Sequence, residues 1–474
     1  MIPRSARGVL LCSFLALATA RDARAQLFTP GAQNSANVKV MSHIPTGGPF
    51  HLNSIDIEQE MSRPYVYVSR RKDAGFHAIS VKDPSKARIL YSWQIENQPL
   101  HEGRALGAVD IKYFKTRGSR YYVALGLQFD ATGPDTDLGA VIFDVTGLPD
   151  SGKVKEVGRI RAPDTPGGFH TVYAYKHSDG RVLLFTTTSG PHYNVYDMDK
   201  FLANGPNQGL VAQIPLPETP GLGRAGYHDT YVGYDPATHQ DKFYGAGAGG
   251  YYVFDVTQPE QPKLLTTVTG MSGMTRGHTF TPDPTGRYAV IESEYQYAPL
   301  RIIDLKPGLD GTTKNISRPV GAWTARWKGL AHNTEVRWPY VFVSAYEDGV
   351  QVFNMMDPTN PYTVGFYHTY DGPTEINKPN PMEPKAPPGM GDVDNGSFGI
   401  DVRNADGLIV TADMYTGFWA FKMEGFDGWN GHQWGLPNVS SAQDWDNGPE
   451  GVPKPQKVSL TPVPSPSRER GTTM

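Results

Sequence analysis

The sequence predicts an all-β fold, a seven-bladed β-propeller closed by an N-terminal strand that completes the last blade. Three observations carry that prediction: a strand motif recurring seven times, a second apolar run before every copy, and one outer strand too few after them. The composition agrees, because 52 Gly, 40 Pro and 11% aromatic residues in 474 read as many short strands joined by tight turns.

The recurring motif is a β-branched or aromatic strand ending in a polar residue between apolar ones. Its copies are Ile79-Ser80-Val81, Phe143-Asp144-Val145, Tyr196-Asp197-Met198, Phe254-Asp255-Val256, Ile303-Asp304-Leu305, Phe353-Asn354-Met355 and Phe421-Lys422-Met423. Successive polar positions lie 64, 53, 58, 49, 50 and 68 residues apart, a spacing of blade size with loops of variable length. The apolar runs at 65–68, 121–125, 182–185, 243–246, 288–291, 340–343 and 408–410 read as buried middle strands. Upstream again lies a third strand, as in His51-Leu52-Asn53-Ser54 and His332-Asn333-Thr334-Glu335.

Outer strands follow six copies, at 89–95, 154–160, 210–214, 264–268, 320–325 and 364–367. The seventh is available ahead of the first blade, where Asn37-Val38-Lys39-Val40-Met41 has the same composition. Pairing it with the last blade closes the ring and leaves no long sheet edge open.

Phrases such as Val253-Phe254-Asp255-Val256 and Arg301-Ile302-Ile303-Asp304-Leu305, and the Asp-Pro or Asn-Pro that follows several copies, make the stretch from about Asn37 to Glu424 resemble the LVIVD-repeat family of bacterial exported propellers. The resemblance implies architecture and export and is nearly silent about chemistry. Propellers host unrelated functions, so the site has to be argued from residues.

Export is also expected from the first residues. Arg4 and Arg7 precede an apolar run at 9–18, and Ala23-Arg24-Ala25 supplies small residues for cleavage, the layout of a Sec-type signal peptide over 1–25. That run is about half the roughly 20 apolar residues a membrane span needs. A periplasmic or secreted chain starting near Gln26 is expected, with the propeller over 26–425 and a cap and disordered tail over 426–474. Phe426, Trp429, Trp434 and Trp445 suggest the cap. The only cysteine, Cys12, falls in the leader, so the exported part has neither disulfide nor thiolate ligand.

Charge narrows the partners. With 44 Lys+Arg against 48 Asp+Glu and a formal charge of -4, nucleic acid is not expected, which leaves a small molecule, a metal ion or a protein partner.

Histidines open the innermost strand of five blades: His51, His170, His228, His278 and His332, with Ala105 and Gly396 expected at the same place in blades two and seven. Inner strands line the axial channel, so equivalent positions converge. Convergent neutral imidazoles suit one divalent transition metal, Cu, Zn, Fe or Ni, with His228, His278 and His332 as core ligands. Basic residues precede these strands (Arg104, Arg224, Arg276 and Lys328), and loops after the middle strands return carboxylates such as Glu294 and Glu347 to the same face. Together they are candidates for holding a ligand.

Three functions are compatible with this pattern: a binding propeller for a metal, small ligand or partner protein; a metal-dependent oxidoreductase or hydrolase; and a structural surface scaffold. A structural reading of the histidines stands beside the metal reading, since duplication copies a strand-initial His whose role is to bond the next blade. The complete motifs of a nucleophile elbow, phosphate loop or HExxH helix are missing from the sequence, and Asp392-Val393-Asp394-Asn395-Gly396 lacks the spacing of a calcium loop.

Overall fold

The computed structural model describes residues 32–46, 51–97, 107–129, 135–218, 226–326, 329–370, 396–430, 443–446 and 448. The expected signal peptide, Ala105, the 371–395 connection with its calcium-like stretch, Trp434 and the tail from 454 lie outside these residues.

Seven antiparallel sheets follow one another along the chain, each with strand order inner to outer. Blade one runs Leu52–Ile57, Tyr65–Arg70, Gly75–Ser80 and Arg88–Gln94, and blade two Gly107–Thr116, Arg120–Gln128, Leu138–Asp144 and Lys155–Arg161. Blade three has Val172–Lys176, Val182–Thr186, His192–Asp197 and Leu210–Pro215, and blade four Tyr227–Asp235, Gln240–Gly247, Gly250–Asp255 and Lys263–Thr269. Blade five consists of Thr279–Pro282, Tyr288–Glu292, Leu300–Asp304 and Gly321–Trp323, and blade six of Asn333–Arg337, Tyr340–Ser344, Val350–Asn354 and Tyr362–Tyr367. The last blade takes three strands from its own stretch, Ser397–Arg403, Leu408–Asp413 and Gly417–Met423.

Its fourth strand is Val38–Ile44, which pairs antiparallel with Gly417–Met423 through Val38 opposite Met423 and Ile44 opposite Phe418. The expected closure is therefore present. Residues just upstream also staple blade six, where the Ser35 N–H donates to Phe366 O at 3.0 Å and Asn37 Nδ2 to Val364 O at 2.9 Å.

Middle strands such as Val182–Thr186 and Leu408–Asp413 are buried along their whole length, whereas outer strands such as Arg88–Gln94 are mostly exposed or half-buried. Apolar side chains from neighbouring blades meet between the sheets, and that face-to-face burial is the main source of stability in a chain without disulfides. One strand was not expected: Asn315–Ile316, in the connection inside blade five, adds parallel to the outer strand of blade four.

The aromatic residues expected to form one cap divide in two. Phe426 and Trp429 pack with the blade six and seven core, while Trp445 lies 5.9 Å from Tyr113 in the blade two core.

Candidate metal centre

A β-bulge sets the phase of the inner strands. In blade one the register shifts between Leu52 and Ile55, in blade two between Ala108 and Asp110, in blade four between Tyr227 and Asp229, and in blade seven between Ser397 and Gly399. The extra residue of such a bulge is turned out of the ladder, and it is Val109, His228 and Phe398 in three of these blades.

Hydrogen bonds fix the equivalent residues elsewhere. The Thr171 N–H donates to Thr187 Oγ1 at 2.8 Å, the Asn333 N–H to Ser344 Oγ at 3.1 Å and the Ser54 N–H to Ser69 Oγ at 2.9 Å. The residues just before are His170, His332 and Asn53. One ring of positions thus reads Asn53, Val109, His170, His228, His278, His332 and Phe398 around the channel.

This corrects the expected address of His51. The bulge places His51 two residues ahead of the ring, where its Nε2 lies 3.7 Å from Asp73 and its ring centroid 6.3 Å from that of His77. Gly396 misses blade seven's ring position by the same two residues; Phe398 occupies it.

The other four histidines do share the channel. Ring centroids are 4.4 Å apart for His170 and His228, 4.1 Å for His228 and His278 and 4.7 Å for His278 and His332, and Phe398 continues the row 3.6 Å from His332. Each ring nitrogen has a distinct setting. His170 Nδ1 lies 2.6 Å from Gln128 Oε1, and His332 Nδ1 2.9 Å from Phe398 O. His278 Nδ1 is 2.8 Å from Glu292 Oε2 and its Nε2 3.1 Å from Glu294 Oε2. His228 Nδ1 is buried with no hydrogen-bond partner.

Glu292 ends blade five's middle strand, and Glu294 lies in the connection after it, as expected. Glu294 holds left-handed backbone, φ 52, a costly conformation for a residue with a Cβ. That turn aims its carboxylate at His278, at His332 Nε2 3.9 Å away, and at the Tyr346 hydroxyl, which donates to Glu294 Oε1 at 2.5 Å.

Electrostatics distinguish the four imidazoles. Burial works against charge on His278, but Glu294 and Glu292 outweigh it and lift the imidazole to about 9. Burial and then the charge on His278 push His170 down to about 3 and hold His228 and His332 well below the usual imidazole value. Burial raises Glu292 to about 7, with His278 opposing. His278 is thus the imidazole of the four in which the charged form is favoured, while burial favours the neutral form in the other three.

One ligand atom each from His228, His278 and Glu294 lie within 4.8 Å of one another, and among the described residues this is the group of histidine and carboxylate side chains close enough to grip one ion. His332 stands at its edge rather than in it. Hydrogen bonds to these rings come from Gln128, Thr279 and the Phe398 carbonyl, with Glu292 beside His278 as an ion-pair partner.

The remaining candidates are not drawn into the group. Glu347 is buried, with Oε2 2.9 Å from Arg326 Nη2, an ion pair at the face rather than a channel ligand. Arg276 is exposed, and its charge is felt by His170 and His228. Arg104, Arg224 and Lys328 lie outside the described residues. The four imidazoles and the inner strands that carry them line a channel space of about 670 Å³, part of which is open to solvent.

No family model matches the chain, and no curated protein does. Among solved structures, the crystal structure of Chaetomium thermophilum Raptor superposes with a TM-score of 0.52 at 12% identity, covering 82% of this chain and 30% of that one. This chain spans less than a third of that protein's length, and a likeness at that identity shows the fold alone. Fold and geometry together define the class: a seven-bladed β-propeller whose channel carries four contiguous histidines.

Proposed function

We propose that the protein is an exported binding propeller of the LVIVD-repeat type, which holds one divalent transition metal (Cu, Zn, Fe or Ni) in its channel through His228, His278 and Glu294. The observation that carries this reading is the convergence of the three ligand atoms within 4.8 Å, with His228 Nδ1 buried and without a hydrogen bond and His278 Nε2 facing the Glu294 carboxylate at 3.1 Å. Buried polar nitrogens are rarely left unmatched unless something else completes them.

The supporting residues fit a metal. The Thr279 hydroxyl at His278 Nδ1, 2.8 Å away, with Glu292 Oε2 beside it as an ion-pair partner, fixes the ring so that Nε2 faces Glu294, and a partnered second nitrogen is what orients a metal-binding histidine. Two nitrogens and a carboxylate would hold the metal with a fourth coordination position available to water or a substrate. That cavity is what favours the second reading, a metal-dependent oxidoreductase or hydrolase with a substrate beside the metal. Export rests on the signal-like layout of 1–25, and a mature N-terminus near Gln26 by intact mass would support it.

Titration calorimetry with Cu, Zn, Ni and Fe on the wild type and on His278→Ala tests the metal. Stoichiometric binding that weakens by orders of magnitude in the variant supports the reading. Equal or absent binding in both proteins would leave the histidines structural.

A further inference from the structure

The layer of the channel directly beneath the imidazoles has hydrogen-bond acceptors in surplus. Asp110 and Asp229 occupy equivalent places, each one residue after a bulge, and each accepts the N–H of the next residue, Ile111 at 2.8 Å and Thr230 at 2.7 Å. Asp110 goes on to accept from the Ser54 hydroxyl at 2.6 Å and, across to blade three, from the Val172 N–H at 2.9 Å. It is a fully used structural carboxylate.

Asp229 has no such second use among the described residues; its one hydrogen bond is from Thr230. In the same layer the Asn333 amide oxygen is buried without a partner. The channel's lysine and arginine lie against other carboxylates, Lys112 Nζ 3.8 Å from Asp56 and Arg337 2.8 Å from Glu335 and 3.7 Å from Asp401; the charges of His278 and Lys112 are felt at Asp229, but its hydrogen bond comes from the Thr230 N–H. A half-buried carboxylate with a single donor and a buried amide oxygen with none both have acceptor capacity to spare, so a ligand that brings N–H groups and positive charge is favoured there.

The walls refine the class. Tyr173 and Tyr231, with ring centroids 5.5 Å apart, and Phe280 line the same cavity, and aromatic faces attract a desolvated organic cation. A bare metal ion needs several oxygens around it, yet no Asp of this layer belongs to the group whose ligand atoms converge. An anion would face Asp229 and Asp110 together and be repelled.

We propose that this layer binds a small primary amine as its ammonium ion, held by the Asp229 carboxylate and the Asn333 amide oxygen against the Tyr173, Tyr231 and Phe280 rings. The site is separate from the metal ligands and does not need the metal. It is therefore tested on chelator-treated protein, where failure of the metal reading leaves it standing and its own failure leaves the metal reading standing.

The probes are propylammonium chloride, sodium propionate and calcium chloride, followed by titration calorimetry at pH 7. Saturable binding of propylammonium is expected, with no heat from propionate, affinity at least tenfold weaker in Asp229→Asn, and no change in His51→Ala. Asn333→Ala, which removes the second acceptor but no charge, is expected to weaken binding too and carries the test if Asp229→Asn does not fold. Absence of propylammonium binding, unchanged affinity in the foldable variants, or equal binding of propionate overturns the proposal. Calcium that binds and displaces the amine also overturns it, in favour of an inorganic cation.

Discussion

Tyr346 and Glu294 meet across the top of the channel through a 2.5 Å hydrogen bond, although both sit in left-handed backbone, with φ of 43 and 52. Each lies in the connection that follows a middle strand, one in blade six and one in blade five. Two strained turns on adjacent blades thus hold one carboxylate against His278. Non-glycine residues keep such backbone only where their surroundings fix it.

Tyr346→Phe removes the donor and keeps the ring against His332, 5.5 Å away. Losing a hydrogen bond to a liganding carboxylate costs roughly 10–100-fold in metal affinity, so a fall of about tenfold is expected in calorimetry with the melting temperature little changed. A Co(II) spectrum altered between wild type and variant would show that the carboxylate's geometry, rather than the fold, has moved. Unchanged affinity and spectrum would make the hydrogen bond incidental.

Blade number, strand order and closure were legible because a propeller repeats one local pattern, apolar strands of period two with a polar residue at a fixed place. Blades three to six also displayed their channel histidines, each directly before a polar residue of the inner strand. Blade one did not: its ring position is Asn53, two residues after His51, and nothing in the composition marks which residue of an inner strand is turned out of the ladder. The turn carboxylates Glu292 and Glu294 were visible as a returning loop, but Tyr346 acts through a left-handed φ that no residue type announces. Asp56, Lys112, Arg337 and Asp401 read in sequence as polar strand positions; only the meeting of blades turns them into a buried charged network.

Deleting residues 26–45 removes Val38–Ile44 and the staple from Ser35 and Asn37 to blade six. Val38 is buried against Met423, Phe421 and neighbouring side chains, and its loss would also expose the edge of Gly417–Met423 to other chains. A marked drop in melting temperature, or loss of soluble expression, is expected. A truncated protein melting where the full chain does would show that closure contributes no stability.

The hairpin turn of blade three carries a different histidine, His177, buried completely between Asp179 at 2.9 Å from Nδ1 and Asp241 at 3.3 Å from Nε2. Its Nε2 is also 3.0 Å from Val256 O in blade four, so it joins two blades. Burial opposes its charge, yet the hydrogen bond with Asp179 and the charge of Asp241 raise its pKa above 6.5. Asp179 is held well below its usual value despite burial, chiefly by that hydrogen bond. Asp241 moves the other way, because burial raises it more than His177 lowers it, so of the two partners Asp179 is the one whose own shift matches an ion pair.

Stability from a raised histidine is fully present below its unfolded value, near 6.5, and is lost as pH rises through the folded one; that from a lowered aspartate is present above about 3.8 and is lost as pH falls. Both conditions hold at pH 5.5. His177→Ala is expected to cost about 2–4 kcal/mol there and distinctly less at pH 9, by urea denaturation of both proteins. An equal cost at the two pH values would mean that packing, not charge, carries the contact.

The corrected address of the ring separates two histidines that look alike in sequence. His51 and His228 both open an inner strand, but the bulge turns His228 to the axis, 4.1 Å from His278, and leaves His51 beside Asp73 and His77. Removing a direct ligand is expected to cost at least the roughly 10–100-fold that loss of a supporting partner does, whereas His51 contributes no atom to the convergent group. His228→Ala should therefore weaken metal binding a hundredfold or more, and His51→Ala should leave it within error of the wild type. Both variants keep the fold, since each ring borders open space rather than the cores between blades, and circular dichroism verifies that before the titration. If the two substitutions weaken binding equally, the metal sits nearer the sequence-expected ring of five than the group of three.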